Sequence, residues 1–256
     1  MITVFKILVV SMFRDIQTLF WSIVFPIALL VGLGIYYDNP AYSKQILAGV
    51  LCISVIFGAL NITAFGVLQQ RKRGVYKLLK TTPFRIINFV TALTLARTVI
   101  SLLVSLITLV TGMIFLEINI EIKELGLVCL LLILGTICFS ALGFLVANFS
   151  ENEGQVNMIS NLITMPMIFM SEAFYTLDNS PEWIQKISNF SPFTYFVESI
   201  NSVISNFELI ATPVYILSAF TIGFLFLSIV TFKWDTANHK NVLFKKKRVK
   251  SSEIDM

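Results

Sequence analysis

The chain has 256 residues, of which 56% are hydrophobic and only 13% charged, with a mean hydropathy of +0.83 and a formal net charge of +4. A soluble domain carries about 25% charged residues, so the composition excludes an ordinary soluble enzyme and reads as an all-α integral membrane protein. Cys52, Cys129 and Cys138 all lie inside apolar runs, where they read as small buried hydrophobes and offer no disulfide framework or metal site.

The first element lies in residues 1–18. On a helix, Phe5, Leu8, Met12, Ile16 and Leu19 share one face, while Thr3, Lys6, Arg14, Gln17 and Thr18 share the other. That pattern predicts an amphipathic helix lying flat on the membrane surface. Six apolar runs follow, near 19–37, 46–68, 91–116, 125–147, 155–172 and 213–232. Each is read as a transmembrane helix, since a span needs about 20 residues. The expectation is a six-span domain over 19–232 with a basic tail at 233–256.

Lys and Arg set the orientation. Lys6 and Arg14 precede the first run, a dense group from Arg71 to Arg85 separates the second and third, and Lys233 to Lys250 follow the last. The opposite loops hold only Lys44, Lys123 and Lys186, beside Glu117, Glu121, Glu124, Asp178 and Glu182. Both termini are therefore expected in the cytoplasm.

The sharpest break in the apolar chain is QQRKRGVYKLLKTTPF, residues 69–84, with five cations from Arg71 to Lys80 and no acid. On a helix Arg73, Lys77 and Lys80 lie on one side and Val75, Leu78 and Leu79 on the other. Thr81-Thr82-Pro83 then ends it, because the residue before proline avoids the α region. Two readings remain open on periodicity alone. One is a loop held inside by its charge and touching anionic lipid; the other is a docking surface for a soluble partner.

Residues 172–212 are too polar for one span and too apolar for a plain loop. Ser180-Pro181-Glu182 and Ser191-Pro192 each place a hydroxyl before a proline, which predicts two capped helix starts. Trp183, Ile184, Ile187 and Phe190 would share one face of the first helix. Both are expected as short re-entrant helices at the outer membrane face, with Tyr175, Trp183 and Tyr195 in the headgroup zone. Pro166 is expected to kink the fifth run.

Chemistry motifs are mostly absent. The sequence has no GxxxxGK[ST] loop, no HExxH and no GxSxG, and its one histidine is His239 in the tail. The centres of the apolar runs carry no ionisable residue, where a proton or ion pathway would need one. Any energy source is expected to lie outside this chain, which is not read as an enzyme.

These features together resemble the permease subunit of type-2 ABC exporters, over about residues 5–232. The most specific part is residues 139–200: a span rich in small residues from Ala141 to Ala147, a short polar loop, Pro166, then Ser171 to Tyr175. Pro181-Glu182-Trp183 and Pro192-Phe193-Thr194-Tyr195 complete the series. The resemblance implies that the loop at 69–90 is a coupling helix docking on a separate ABC-type ATPase, which would hold the ATP and Mg; this chain would bind no cofactor. The family form is Glu-Arg-Glu-x-Gly followed by leucine and Thr-Pro. Here Gly74, Leu78, Leu79, Thr82 and Pro83 match, whereas Gln69, Gln70, Lys72 and Arg73 replace the acids.

On this basis Arg73, Gly74, Val75, Tyr76, Lys77, Leu78, Leu79, Thr82 and Pro83 are expected to contact the ATPase, with Glu151 and Glu153 of the loop 148–155 as a second contact. Residues 1–18 would be the connecting helix. Glu172, Phe174, Tyr175, Pro181, Trp183, Pro192, Tyr195 and Glu198 would form an outer gate. The resemblance implies a second permease subunit, identical or not, lipid contacts and no nucleic acid. It implies a multi-pass protein of the bacterial plasma or inner membrane, exporting an amphiphilic drug, peptide or lipid-like cargo. A permease for lipid-linked polysaccharide and a non-transporting immunity or sensor protein are the alternatives.

Overall fold

The structure is a computed structural model, described here for residues 16–37, 40–74, 86–174, 180–206 and 209–231. The described elements are α1 (Ile16–Tyr37), α2 (Pro40–Ile56), a π-turn (Phe57–Asn61), α3 (Ile62–Lys72), α4 (Ile86–Phe115) and α5 (Ile122–Phe149). They continue with α6 (Glu153–Phe169), α7 (Glu182–Ser188), α8 (Pro192–Asn206) and α9 (Ala211–Val230). The predicted amphipathic helix at 1–18 falls almost entirely outside the described residues, as does the basic tail at 233–256.

The six-span expectation is overturned. Among the described residues four helices are long and apolar enough to cross a membrane: Tyr42–Lys72, Thr98–Phe115, Ile122–Phe149 and Ala211–Val230. At the first predicted span the described apolar stretch is Ile23–Tyr37, within the 22 residues of α1. The fifth fails on length. α6 has 17 residues and begins with Glu153, Gln155 and Asn157. At a rise of 1.5 Å per residue such a helix reaches only about 25 Å, short of a hydrocarbon core of about 30 Å. The run 155–172 is apolar enough for a span, but the helix that holds most of it is too short to cross.

The second predicted run is the reverse case. α2, the π-turn and α3 form one continuous helical rod from Pro40 to Lys72, longer at both ends than the run 46–68. This rod is the centre of the bundle. Leu47, Val50, Leu51, Val55, Ile56, Leu60, Val67 and Leu68 along it have no exposed surface. It packs against α1, α4, α5 and α8, and its last turns meet α6.

Close helix approach depends on small residues at crossings. A Cβ on Gly143 of α5 would run into the Leu60 carbonyl in the π-turn, and one on Gly49 would run into the Ala173 carbonyl. Gly135 of α5 lies under the Phe196 ring. Between α4 and α5 the Thr136 hydroxyl donates to Ser101 Oγ at 3.3 Å and to the Leu132 carbonyl at 2.7 Å. Glu121 and Glu124 form a reciprocal capping box at the start of α5, satisfying two of its free amide groups.

Candidate functional site

Two ends of the bundle carry the sequence-predicted site residues. At the first, α3 ends where the basic stretch begins. Arg73 is the C-cap, and Gly74 follows with φ of 74°, the left-handed conformation that closes a helix and favours glycine. The Arg73 amide donates to the Gln69 carbonyl at 2.9 Å and the Gly74 amide to the Arg71 carbonyl at 3.0 Å. The predicted contacts Val75, Tyr76, Lys77, Leu78, Leu79, Thr82 and Pro83 lie outside the described residues.

The charges just before Gly74 do not all face solvent. Arg71 is buried, with 5% of its surface exposed. One guanidinium nitrogen donates to the Ala147 carbonyl at 2.6 Å and another, at a longer 3.4 Å, to the Ser150 carbonyl. These oxygens belong to the last turn of α5, where a helix leaves its carbonyls without intrahelical partners and its dipole favours a cation. Lys72 reaches across to Glu153 Oε1 at 2.9 Å. Of the three consecutive cations, Arg71 caps a neighbouring helix, Lys72 pairs with α6 while staying exposed, and Arg73 is exposed.

The turn from α5 to α6 is itself well tied. Asn152 caps α6 by accepting from the Gln155 amide at 2.9 Å, and Gln155 Oε1 accepts from the Glu151 amide at 2.7 Å. Asn148 is buried and its side-chain amide donates to the Ser228 carbonyl at 3.2 Å and to Thr231 Oγ1 at 3.1 Å. Ser228 Oγ in turn donates to the Ala141 carbonyl at 2.8 Å. The ends of α3, α5, α6 and α9 are thus joined in one polar knot. Glu151 and Glu153, predicted as contacts to a partner, are both exposed; Glu151 enters the turn through its backbone amide and Glu153 faces Lys72 of the same chain.

At the opposite end, Gln45 donates to the Glu172 carbonyl at 3.3 Å, Ala173 is buried against Gly49, and Phe174 packs on the core. Tyr175 lies outside the described residues. The two predicted helix starts are found, at Glu182 and Pro192. The capping roles differ from expectation. Pro181 is itself the N-cap of α7 with no side-chain bond, and Ser191 Oγ is buried without a hydrogen-bond partner.

The two helices, expected to play the same part, differ in burial. The apolar face of α7 is open in this chain, with Trp183, Ile187 and Phe190 exposed. α8 is instead a core element: Phe193, Phe196, Val197, Ile200, Val203 and Ile204 are buried against α2, α5 and α9. Their spacing is that of one helical stripe. Tyr195 donates to the Asn189 carbonyl at 2.7 Å and sets its ring 6.5 Å from Phe220, tying α7, α8 and α9.

Glu198 lies on the open side of α8. Partial burial, and then the charge of Glu172, raise its carboxyl above the 4.5 of an ordinary glutamate. A carboxyl that holds its proton more tightly when folded contributes no penalty below about pH 4.5 and a growing one as pH rises through that range. Glu198→Gln is therefore expected to melt at or above the native chain at neutral pH, with the difference vanishing at about pH 4. Thermal unfolding in detergent at the two pH values checks this; a variant that melts lower at neutral pH would show that the carboxylate is instead held by favourable contacts.

Among the described residues no group of three or more His, Cys, Asp or Glu could hold a metal ion. The family described as ABC-2 type transporter matches residues 1–205. A Porphyra purpurea protein, ycf38, provisionally named a transport permease, is 25% identical over 212 residues, covering 75% of this chain and 66% of that relative. The chain thus spans slightly less than two thirds of the length of that relative.

Proposed function

We propose, from the premise that the chain belongs to the ABC-2 type transporter family, that it is the membrane subunit of an ATP-driven exporter. A separate ABC-type ATPase would bind ATP and Mg and dock on the basic stretch 69–90 and the turn 148–155. A second permease subunit would complete the path. The cargo would be amphiphilic: a drug, a peptide or a lipid-like molecule, moving out of a bacterial cell across its plasma membrane.

The observation that supports this reading best is the knot at the end of α3. A loop needed only to fix topology requires charge on one side of the membrane, and nothing more. Here Arg71 and Lys72 are spent on joining the basic stretch to α5 and α6, so force applied to that stretch is delivered to helices of the bundle. A surface on which a partner pushes needs such a joint. The internal pairing also bears on the missing acidic positions. With Arg71 and Lys72 occupied within the chain, the partner meets Arg73 and the residues after Gly74.

Affinity purification from native membranes under mild detergent tests the assignment. The intact chain is expected to bring down an ABC-type ATPase at about one copy per permease, as a stable interface would. A variant replaced at Gly74, Lys77 and Leu78 is expected to lose it while remaining in the membrane. Intact chain without any ATPase would sink the exporter reading, and 69–84 would revert to a topological loop.

A further inference from the structure

We propose that Arg71 is the positioning residue that carries displacement of the basic stretch into α5, α6 and α9. The inference rests on the exporter reading and adds to it the route by which movement leaves the docking segment.

Arg71 is three residues before the left-handed glycine that ends α3, so it moves with whatever moves residues 74 and beyond. Its planar head grips two carbonyls, those of Ala147 and Ser150, on either side of Asn148. Only arginine presents several N–H groups in a fixed fork, which lets one side chain hold two acceptors three residues apart. Asn148, between them, is bonded to Ser228 and Thr231 at the end of α9. Beyond Ser150 the chain makes one tight turn and becomes α6, which Lys72 holds through Glu153. A shift of the α3 terminus cannot leave the α5 terminus behind without breaking buried bonds to Arg71. Burial makes this grip costly to release, since a guanidinium that loses its two carbonyl acceptors away from water is strongly penalised, although the Ala147 carbonyl would keep the Ser150 amide at 3.3 Å. The exposed Lys72–Glu153 pair, by contrast, is the soft part of the joint.

Hydrogen exchange in nanodiscs separates this from a purely local cap. With the co-purified ATPase trapped by ATP and vanadate, amides of residues 145–160 in the native complex are expected to change exchange rate by about tenfold. In Arg71→Met the ATPase is expected to co-purify as before while that response falls to within about twofold of none. Arg71→Lys keeps the charge but not the fork; it is expected to fold normally and to show an intermediate response. A full nucleotide response in Arg71→Met would overturn the proposal, and so would a full response in Arg71→Lys if the methionine variant fails to fold. Without nucleotide or ATPase, the isolated Arg71→Met chain is expected to exchange the amides of 150–154 about tenfold faster than the native chain; unchanged protection there would also overturn it. If the native chain brings down no ATPase, the exporter reading fails first and the transmission role falls with it.

Discussion

Gly143→Val is expected to lower the yield of folded protein sharply and to cost about 3 kcal/mol or more, the upper end of overpacking penalties. A side chain at 143 meets backbone. Its Cβ would strike the Leu60 carbonyl oxygen and lie 3.1 Å from both the carbonyl carbon and Cα of Leu60. Leu60 is fully buried in the π-turn of the central rod, on which α4 and α6 also pack, and cannot retreat without shifting the rod. Between membrane helices, association depends on close packing rather than on burial from water, so a forced separation is not offset elsewhere. Gly126, in the same helix, supplies the control. A Cβ there meets nothing within 4 Å, so Gly126→Ala is expected to be neutral or to stabilise by about 0.5 kcal/mol through helix propensity. SDS titration of the purified chains reads both; equal behaviour of Gly143→Val and the native chain would remove the close crossing from the account.

The π-turn explains why this crossing exists where it does. Widening the helix by one residue at Phe57–Asn61 turns backbone outward, and a glycine opposite accepts that backbone at close range. Nothing in FGALN announces a π-turn, because its residues are ordinary for an apolar helix. Gly143 was visible as a small residue in a span, but small residues are common there, and which one meets backbone depends on the register of two helices 80 residues apart. The same holds for Arg71. Its charge was legible, and so was a basic residue in the last turn of a helix, but its partners are carbonyls 76 and 79 residues further on. A carbonyl carries no sequence signature.

Local signals fared better than counting. The breaks at Pro181 and Pro192 correctly marked two helix starts, because proline fits the beginning of a helix and little else. The stripe Phe193, Phe196, Val197, Ile200, Val203 and Ile204 makes α8 amphipathic, and its apolar side enters the core of the bundle rather than lying at a membrane surface. The span count failed for a related reason. A hydropathy run records how apolar a segment is, whereas crossing a membrane also needs length, and α6 spends its first turns on Glu153, Gln155, Asn157 and Asn161.

Phe196→Ala is expected to be the most damaging truncation in α8, at about 3 kcal/mol, within the range for emptying a fully buried aromatic site. Phe196 has no exposed surface, makes an edge-to-face contact with Phe139 at 5.7 Å between ring centroids, and lies over Gly135. The ring fills the space that the glycine leaves, so the two positions should behave as a pair. Gly135→Ala alone drives a methyl into the ring and is expected to cost about 1–3 kcal/mol. Phe196→Leu alone leaves part of the space empty and should cost about 1.5 kcal/mol. Combined, the added methyl occupies room that the smaller side chain has vacated, so the double variant is expected to be more stable than the sum of the two losses by about 1 kcal/mol. A double-mutant cycle measured by SDS-induced unfolding decides it. Strict additivity would mean that Gly135 and Phe196 do not share one packing site, and that α8 is held to α5 by the Phe139 and Phe193 rings instead.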